Sequence, residues 1–447
     1  MGFVNEGLNH LIMPHQVPRK RKEKEKWPEK LPDDGQKTSK SNQNVGFWGE
    51  DSENTSRVSK PRNDPSGEKR SLLRGCFCRC LHSLKWVVFL LVLPAILNHA
   101  SLYKEAEYLK PQGELLSVGL EDHKMFIRCS GEGEPTVILD APTGMSSDVW
   151  CLVQPRIAKF TRVCSYDRTG LGFSSSYPYQ FPKHDDDDDD DTPGPTSSKM
   201  ASSITKGQES TTERMVDDLH SLLHINYTDT KPPFLLVGSE LGAANAMFYA
   251  QMFEKEVSDI VLIDPLVEGI FEIDEAVLEQ FWYGHLVPTL QSLQLSAAIG
   301  LTRLGLMFGL VEQPIRGEVI SETVQARQKY LMCLPRHIRA AVEEYFWANK
   351  SLSQIKTAYK VKPFPQNVSV TVITGNYYDE ELPSQLNKVW AKATQKLVSS
   401  IHPSAKHLLI NGADHHMLYR NPNAVVEPIK KLVKHWRQRH SKSSKGG

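Results

Sequence analysis

Residues 234–252 read FLLVGSELGAANAMFYAQM. Phe234 to Val237 form a short apolar run of the kind that strands buried on both faces require. Leu241 to Met252 follow with the length and composition of a helix. Between them, Gly238 and Gly242 stand two residues either side of Glu240. Strand, tight turn and helix in that order predict an elbow that lifts one side chain above the end of a strand, with small residues where the turn has no room. Counted from the glycines, the lifted residue is Glu240, and Ser239 points away from the same face.

Outward from this turn, short β-branched runs alternate with longer amphipathic segments from about Leu115. This alternation is the pattern of a mostly parallel sheet with helices on both faces. Strands are expected at 115–119, 124–129, 136–140, 162–166, 234–237, 260–264, 369–374 and 407–410, the first two forming a hairpin. Met215 to Leu223 and Val425 to Trp436 carry helical apolar stripes. Residues 266–365 are too long for a simple crossover and read as a helical lid. Within it, Ser296 to Leu310 is a continuous apolar helical stretch interrupted only by Arg303, either lid core or a path for a lipophilic ligand or membrane.

The remainder is appendage. Residues 1–85, with 17 Lys and Arg against 11 Asp and Glu, lack apolar periodicity and are expected to be a disordered basic tail. Its Arg19–Lys22 run fits a tail near anionic lipid better than a nuclear signal. Gly2 lacks the Ser or Thr that N-myristoylation wants four residues later. Trp86 to Leu97 is apolar and uncharged, and residues 86–102 are expected to be a membrane anchor, short for a hydrocarbon core about 30 Å thick. A re-entrant hairpin at Pro94 is the competing reading. Five basic residues from Lys69 to Lys85 would hold the N-terminus in the cytosol and place the large domain, 112–437, in the lumen or outside. Sequons at Asn226, Asn349 and Asn367 agree with that orientation. Cys76, Cys78 and Cys80 beside the anchor are lipidation candidates. Cys129, Cys151, Cys164 and Cys333 are open to free thiols or disulfides. Residues 182–207, with Asp185 to Asp191, read as a disordered acidic insert, and 438–447 as a disordered tail. No cysteine spacing resembles a zinc site, and no metal or cofactor is expected. The balance of 53 basic and 53 acidic residues gives no field that argues for nucleic acid.

Three further segments carry a resemblance. Gly131-Glu132-Gly133-Glu134-Pro135 precedes a strand and is followed by Leu139-Asp140-Ala141-Pro142-Thr143-Gly144. Ser165-Tyr166-Asp167-Arg168-Thr169-Gly170-Leu171-Gly172-Phe173-Ser174 comes next, and Gly412-Ala413-Asp414-His415, with Pro422 beyond it, lies near the end. With the elbow, these make the chain from about Gln112 to Trp436 similar to the α/β-hydrolase superfamily. The resemblance implies an eight-stranded, mostly parallel sheet, oxyanion N–H groups from Thr143 and Leu241, and His415 as general base, with His416 as its rival. It implies a triad acid at Asp379, after the seventh strand, or at Asp264, after the sixth. Pro142 replaces the usual Gly of the oxyanion loop.

Glu240 stands where that superfamily carries its nucleophilic serine. A carboxylate has no proton for His415 to remove and already bears charge, which excludes the serine mechanism. Three readings follow. The site is silent and the protein binds a small lipophilic ligand or a protein partner. Alternatively, Glu240 is itself a carboxylate nucleophile, with His415 activating water to release the ester. In the third reading, Glu240 is a general base.

Overall fold

The computed structural model of the chain describes residues 65–119, 123–177, 209–225, 230–317, 319–376 and 382–443. Eight strands form one sheet in the order β1-β2-β4-β3-β5-β6-β7-β8. They are β1 (Glu114–Val118), β2 (His123–Ser130), β3 (Thr136–Asp140), β4 (Val163–Tyr166), β5 (Phe234–Ser239), β6 (Val257–Ile263), β7 (Ser369–Gly375) and β8 (Lys406–Ile410). The pairs β1/β2 and β2/β4 are antiparallel, and every other pair is parallel. The central strands β3, β4 and β5 are buried along their whole length. That burial explains why their sequences are continuous apolar runs, each fully buried aliphatic side chain contributing about 1.5–3 kcal/mol.

The helices of seven residues or more are α1 (Pro65–Tyr108), α2 (Thr212–Leu223), α3 (Leu241–Met252), α4 (Glu275–Phe281), α5 (Val287–Ala298), α6 (Leu301–Met307), α7 (Glu322–Met332), α8 (Pro335–Phe346), α9 (Ala348–Val361), α10 (Ser384–Lys396) and α11 (Pro422–Ser443). Six of them, α4 to α9, make up the expected lid. The apolar stretch 296–310 is two helices, because Gly300 takes the left-handed conformation at φ 80° and ends the first.

Register places the site. Asp140 pairs with Gly238, and Ser239 with Ile263, so the C-terminal ends of β3, β5 and β6 lie side by side. Gly375 pairs with Ile410, which brings the loop after β8 to the same edge. Residues 141–144, Glu240, Asp264 and His415 therefore emerge at one end of the sheet, where open parallel sheets carry their ligands.

The N-terminal and C-terminal expectations need correction. Residues 65–85 are helical, so any disordered tail ends before Pro65; their Lys, Arg and Leu favour helix and no proline interrupts them between Pro65 and the apolar run. The helix continues through 86–102 to Tyr108, and among the described residues no helix is long and apolar enough to cross a membrane. The end of the expected anchor packs against protein. Asn98 is buried and donates to the carbonyls of Ala297 and Cys333 at 2.9 and 3.2 Å. Arg303 in α6 donates to Asn98 Oδ1 at 2.8 Å and pairs with Glu105 at 2.6 Å. At the other end α11 runs to Ser443, past the boundary expected at 437. By contact the chain divides into two compact units, the break falling inside α1 between Phe89 and Leu90.

Cys129 and Cys164 are disulfide-bonded across the β2/β4 pair, whereas Cys151 and Cys333 are free thiols. Asn367 is exposed in the turn before β7. Asn349 lies in α9, with Ser351 of its sequon buried and accepting the backbone N–H of Thr212 at 3.1 Å. Cys76, Cys78 and Cys80 fall within α1. Asn226, Asp379 and the acidic insert lie outside the described residues.

Candidate active site

Glu240 has φ 49° and ψ −113°, a backbone conformation rare for any residue with a β-carbon. Its carbonyl accepts from the N–H groups of Ala243, Ala244 and Leu266 at 3.1, 3.3 and 3.2 Å, which hold the strained turn in place. Both flanking glycines are required by space. A β-carbon at Gly238 would stand 2.0 Å from the Gly242 carbonyl oxygen, and one at Gly242 would stand 2.6 Å from that of Asp140. The elbow read from the sequence is thus built, with Glu240 at its apex and 8% exposed.

The oxyanion loop, 141–144, is fixed from two sides. Arg168, from the segment after β4, is buried and reaches Asp140 Oδ1 at 2.5 Å. It also donates to the carbonyls of Ala141 and Pro142 at 2.7 and 2.8 Å. Glu344, on lid helix α8, receives Arg168 through both carboxylate oxygens at 2.6 and 2.8 Å. Glu344 then accepts the Gly144 N–H at 2.7 Å. A bidentate guanidinium–carboxylate pair of this kind ties loop to lid with fixed geometry. The sequence reading found Arg168 only as part of a motif and missed Glu344, which lies 176 residues away. Among the described residues the N–H groups of Thr143 and Leu241 reach no backbone carbonyl. Thr143 Oγ1, buried without a hydrogen bond of standard length, faces the Glu240 carboxylate.

On the opposite side stand the acid and base. His415 lies near enough to Glu240 to act on its charge. Its Nδ1 is 3.8 Å from Asp264 Oδ2, beyond hydrogen-bond length, and Trp390 closes over the ring edge at 6.2 Å between centroids. Asp264 follows β6 at φ 41°. Burial, together with Glu240 and Asp414 nearby and against the attraction of His415, pushes its carboxyl up to about 6. The structure thus places Asp264 beside His415. His416, the rival base, is turned toward Asp414, with its Nδ1 3.7 Å from Oδ2. Tyr345 of α8 is buried near Glu240. Burial first, then Glu240 and Glu344, raise its phenol far above the usual range, so it is a neutral group at the carboxylate.

A cavity of about 920 Å³, lined by Asp259, Ser369, Lys406, Lys431 and Arg439 among others, opens at the N-terminal ends of β6, β7 and β8. That is the opposite end of the sheet from Glu240, and none of the chemistry above reaches it.

Comparison with known proteins agrees with this arrangement. A family model described as alpha/beta hydrolase fold matches residues 135–422, well over half of the chain. A protein of Bacillus subtilis (strain 168), YbdG, uncharacterized, is 24% identical over 171 residues, covering 38% of this chain and 42% of its own length. Among solved structures, a protein from Pseudomonas aeruginosa described as a candidate epoxide hydrolase is 15% identical with a TM-score of 0.50, covering 73% of this chain and 97% of its own. Cfl2 from Burkholderia cenocepacia is 17% identical with a TM-score of 0.50, covering 72% and 98%. At such identities the structural likeness speaks for the fold alone. Family match, strand order and elbow converge on one conclusion: the chain belongs to the alpha/beta hydrolase fold family.

Proposed function

We propose that this protein is a silenced hydrolase scaffold that binds a lipophilic ligand or a protein partner, with Glu240 occupying the place of a nucleophile without acting as one. The observation that carries this reading is the setting of Glu240: a carboxylate 8% exposed at the elbow apex, facing Thr143 of the oxyanion loop and neighbouring His415. Glu240 stands at the N-terminus of α3, where the backbone N–H groups favour negative charge and so hold the carboxylate as a stable anion. The acid–base pair supports the same reading, because a carboxyl with its pKa near 6 and 3.8 Å from the imidazole orients it poorly. The exposed apolar residues of the lid, Leu301, Met307, Phe308 and Leu310, favour a lipophilic ligand, a membrane or a protein as the partner.

The second reading rests on the presence of His415, Asp264 and Tyr345 around the carboxylate. Here Glu240 attacks an ester carbonyl, the alcohol leaves with a proton, and water activated by His415 hydrolyses the resulting mixed anhydride to release the acid and regenerate Glu240. The likeness to a candidate epoxide hydrolase is compatible with a hydrolase but adds only fold-level support. Wild-type protein incubated with a panel of esters and epoxides, then digested for mass spectrometry, separates the two. The leading reading expects no turnover and no adduct, and a substrate-derived mass on Glu240 would establish the second instead.

The large domain is further proposed to lie in the lumen or outside the cell, held at a membrane by the apolar part of α1. The Cys129–Cys164 disulfide supports an oxidising compartment, and the exposed Trp86, Phe89, Val92, Ile96 and Leu97 support contact with lipid. Glycan occupancy of Asn367 in cells tests this side of the membrane.

A further inference from the structure

At the opposite end of α3 from Glu240, α2 ends in two histidines one turn apart. His220 lies in its last turn and His224 directly follows Leu223. Glu256 reaches the same point from the short turn Glu254–Glu256 between α3 and β6. Both imidazole Nε2 atoms stand 3.3 Å from one and the same carboxylate oxygen, Glu256 Oε1. The three atoms lie within 4.8 Å of one another.

Each group is aimed by a second contact. His224 Nδ1 is 2.8 Å from the carbonyl of His220, which fixes the tautomer with its proton on Nδ1 and turns the Nε2 lone pair toward Glu256. Glu256 Oε2 accepts from the Tyr249 hydroxyl at 2.7 Å, leaving Oε1 to face the histidines. His220 is stacked on Phe253, with centroids 3.8 Å apart. With its proton on Nδ1, His224 turns an Nε2 lone pair toward Glu256 Oε1, and the two imidazoles stand with centroids 4.2 Å apart. A cation between the three atoms would engage all of them. For tetrahedral zinc with bonds of about 2.0–2.1 Å, neighbouring ligand atoms stand roughly 3.3 Å apart, the spacing seen here on two edges. Outer contacts to a backbone carbonyl and a hydroxyl are those that orient metal ligands. The C-terminus of α2 adds its own attraction for positive charge.

We propose that His220, His224 and Glu256 form a site for a divalent transition metal of the zinc type, with solvent completing the coordination. The ligand set of two imidazoles and one carboxylate suits zinc and its neighbours over calcium or magnesium. The site joins the end of α2 to the corner between α3 and β6. It therefore braces the fold and supplies no chemistry at the elbow.

The test is titration of the chelator-stripped full chain with Zn²⁺ and Co²⁺, following heat of binding and the visible cobalt spectrum. Wild type, His224→Ala and Glu256→Gln are compared; His224 is half-exposed and Glu256→Gln keeps the acceptor for Tyr249, so both variants should fold. Wild type is expected to take one equivalent with a tetrahedral cobalt spectrum. Each variant should bind at least about tenfold more weakly, since even outer-contact losses cost that much. Zn²⁺ should raise the unfolding midpoint of wild type by a few degrees and leave His224→Ala unmoved. Absence of binding to wild type at micromolar metal, or binding to either variant as tight as to wild type, overturns the proposal.

Discussion

The site has two sides, and they are built to different standards. On the oxyanion side, the Arg168 guanidinium is enclosed by Asp140 at 2.5 Å and Glu344 at 2.6 Å, and the loop carbonyls take its remaining donors. On the acid–base side, the imidazole of His415 faces Asp264 at 3.8 Å, and the carboxyl of Asp264 is pushed toward its neutral form. The first side holds the lid to the sheet, so its residues are required whatever happens at the apex. The second is needed in full only when a nucleophile must be deprotonated or a water activated. A scaffold that keeps the first tight and lets the second loosen is what a silenced hydrolase would look like.

The difference should appear most strongly in stability. Removing Arg168 with Arg168→Ala strands two buried carboxylates and should cost about 3–5 kcal/mol in denaturant unfolding. His415→Ala, measured in the same way, should cost far less. Equal losses would erase the comparison. A second, smaller effect concerns pH. Asp264 ordinarily titrates at 3.8 and is raised to about 6 in the fold, so the folded state binds its proton more tightly than the unfolded chain. Its stabilising contribution is complete below about pH 4 and is lost as pH rises through 6, a change of about 3 kcal/mol. Asp264→Asn should remove that slope and leave the protein more stable than wild type above pH 7. An unchanged pH profile would mean that Asp264 is ionised and well partnered, and the second side tight after all. At the elbow, the methyl of Gly242→Ala would stand 2.6 and 2.7 Å from the backbone carbonyl oxygens of Asp140 and Ala141, and moving that backbone should cost about 1–3 kcal/mol.

Much of this architecture was legible in the sequence because it depends on local rules. Strands buried on both faces must be continuous apolar runs, which is why β3 was placed to the residue and β5 and β6 to within a few. The elbow was legible because only glycine fits at 238 and 242. What depends on contacts across the chain was not. Nothing near Glu344 announces that it will meet Arg168, and nothing local to Asp264 announces that the sheet order will bring it to 3.8 Å from His415. Gly300 was visible, but it is one of three glycines in the stretch, with Gly305 and Gly309, and no local rule says which of them ends a helix. The buried place of Asn98 depends on carbonyls of Ala297 and Cys333 that no local pattern reveals. The pair His220 and His224 carried a signal in its four-residue spacing, but its third member, Glu256, is brought in by α3 and the turn after it.

The central proposal is that Glu240 takes the nucleophile's place without acting as one, while His415 still stands beside the apex. It is tested by reacting Glu240→Ser, wild type and Glu240→Ser/His415→Ala with a phosphonate probe that labels activated serines. The account predicts labelling of Glu240→Ser alone. Failure of Glu240→Ser to label while folded would contradict it, as would labelling that persists without His415.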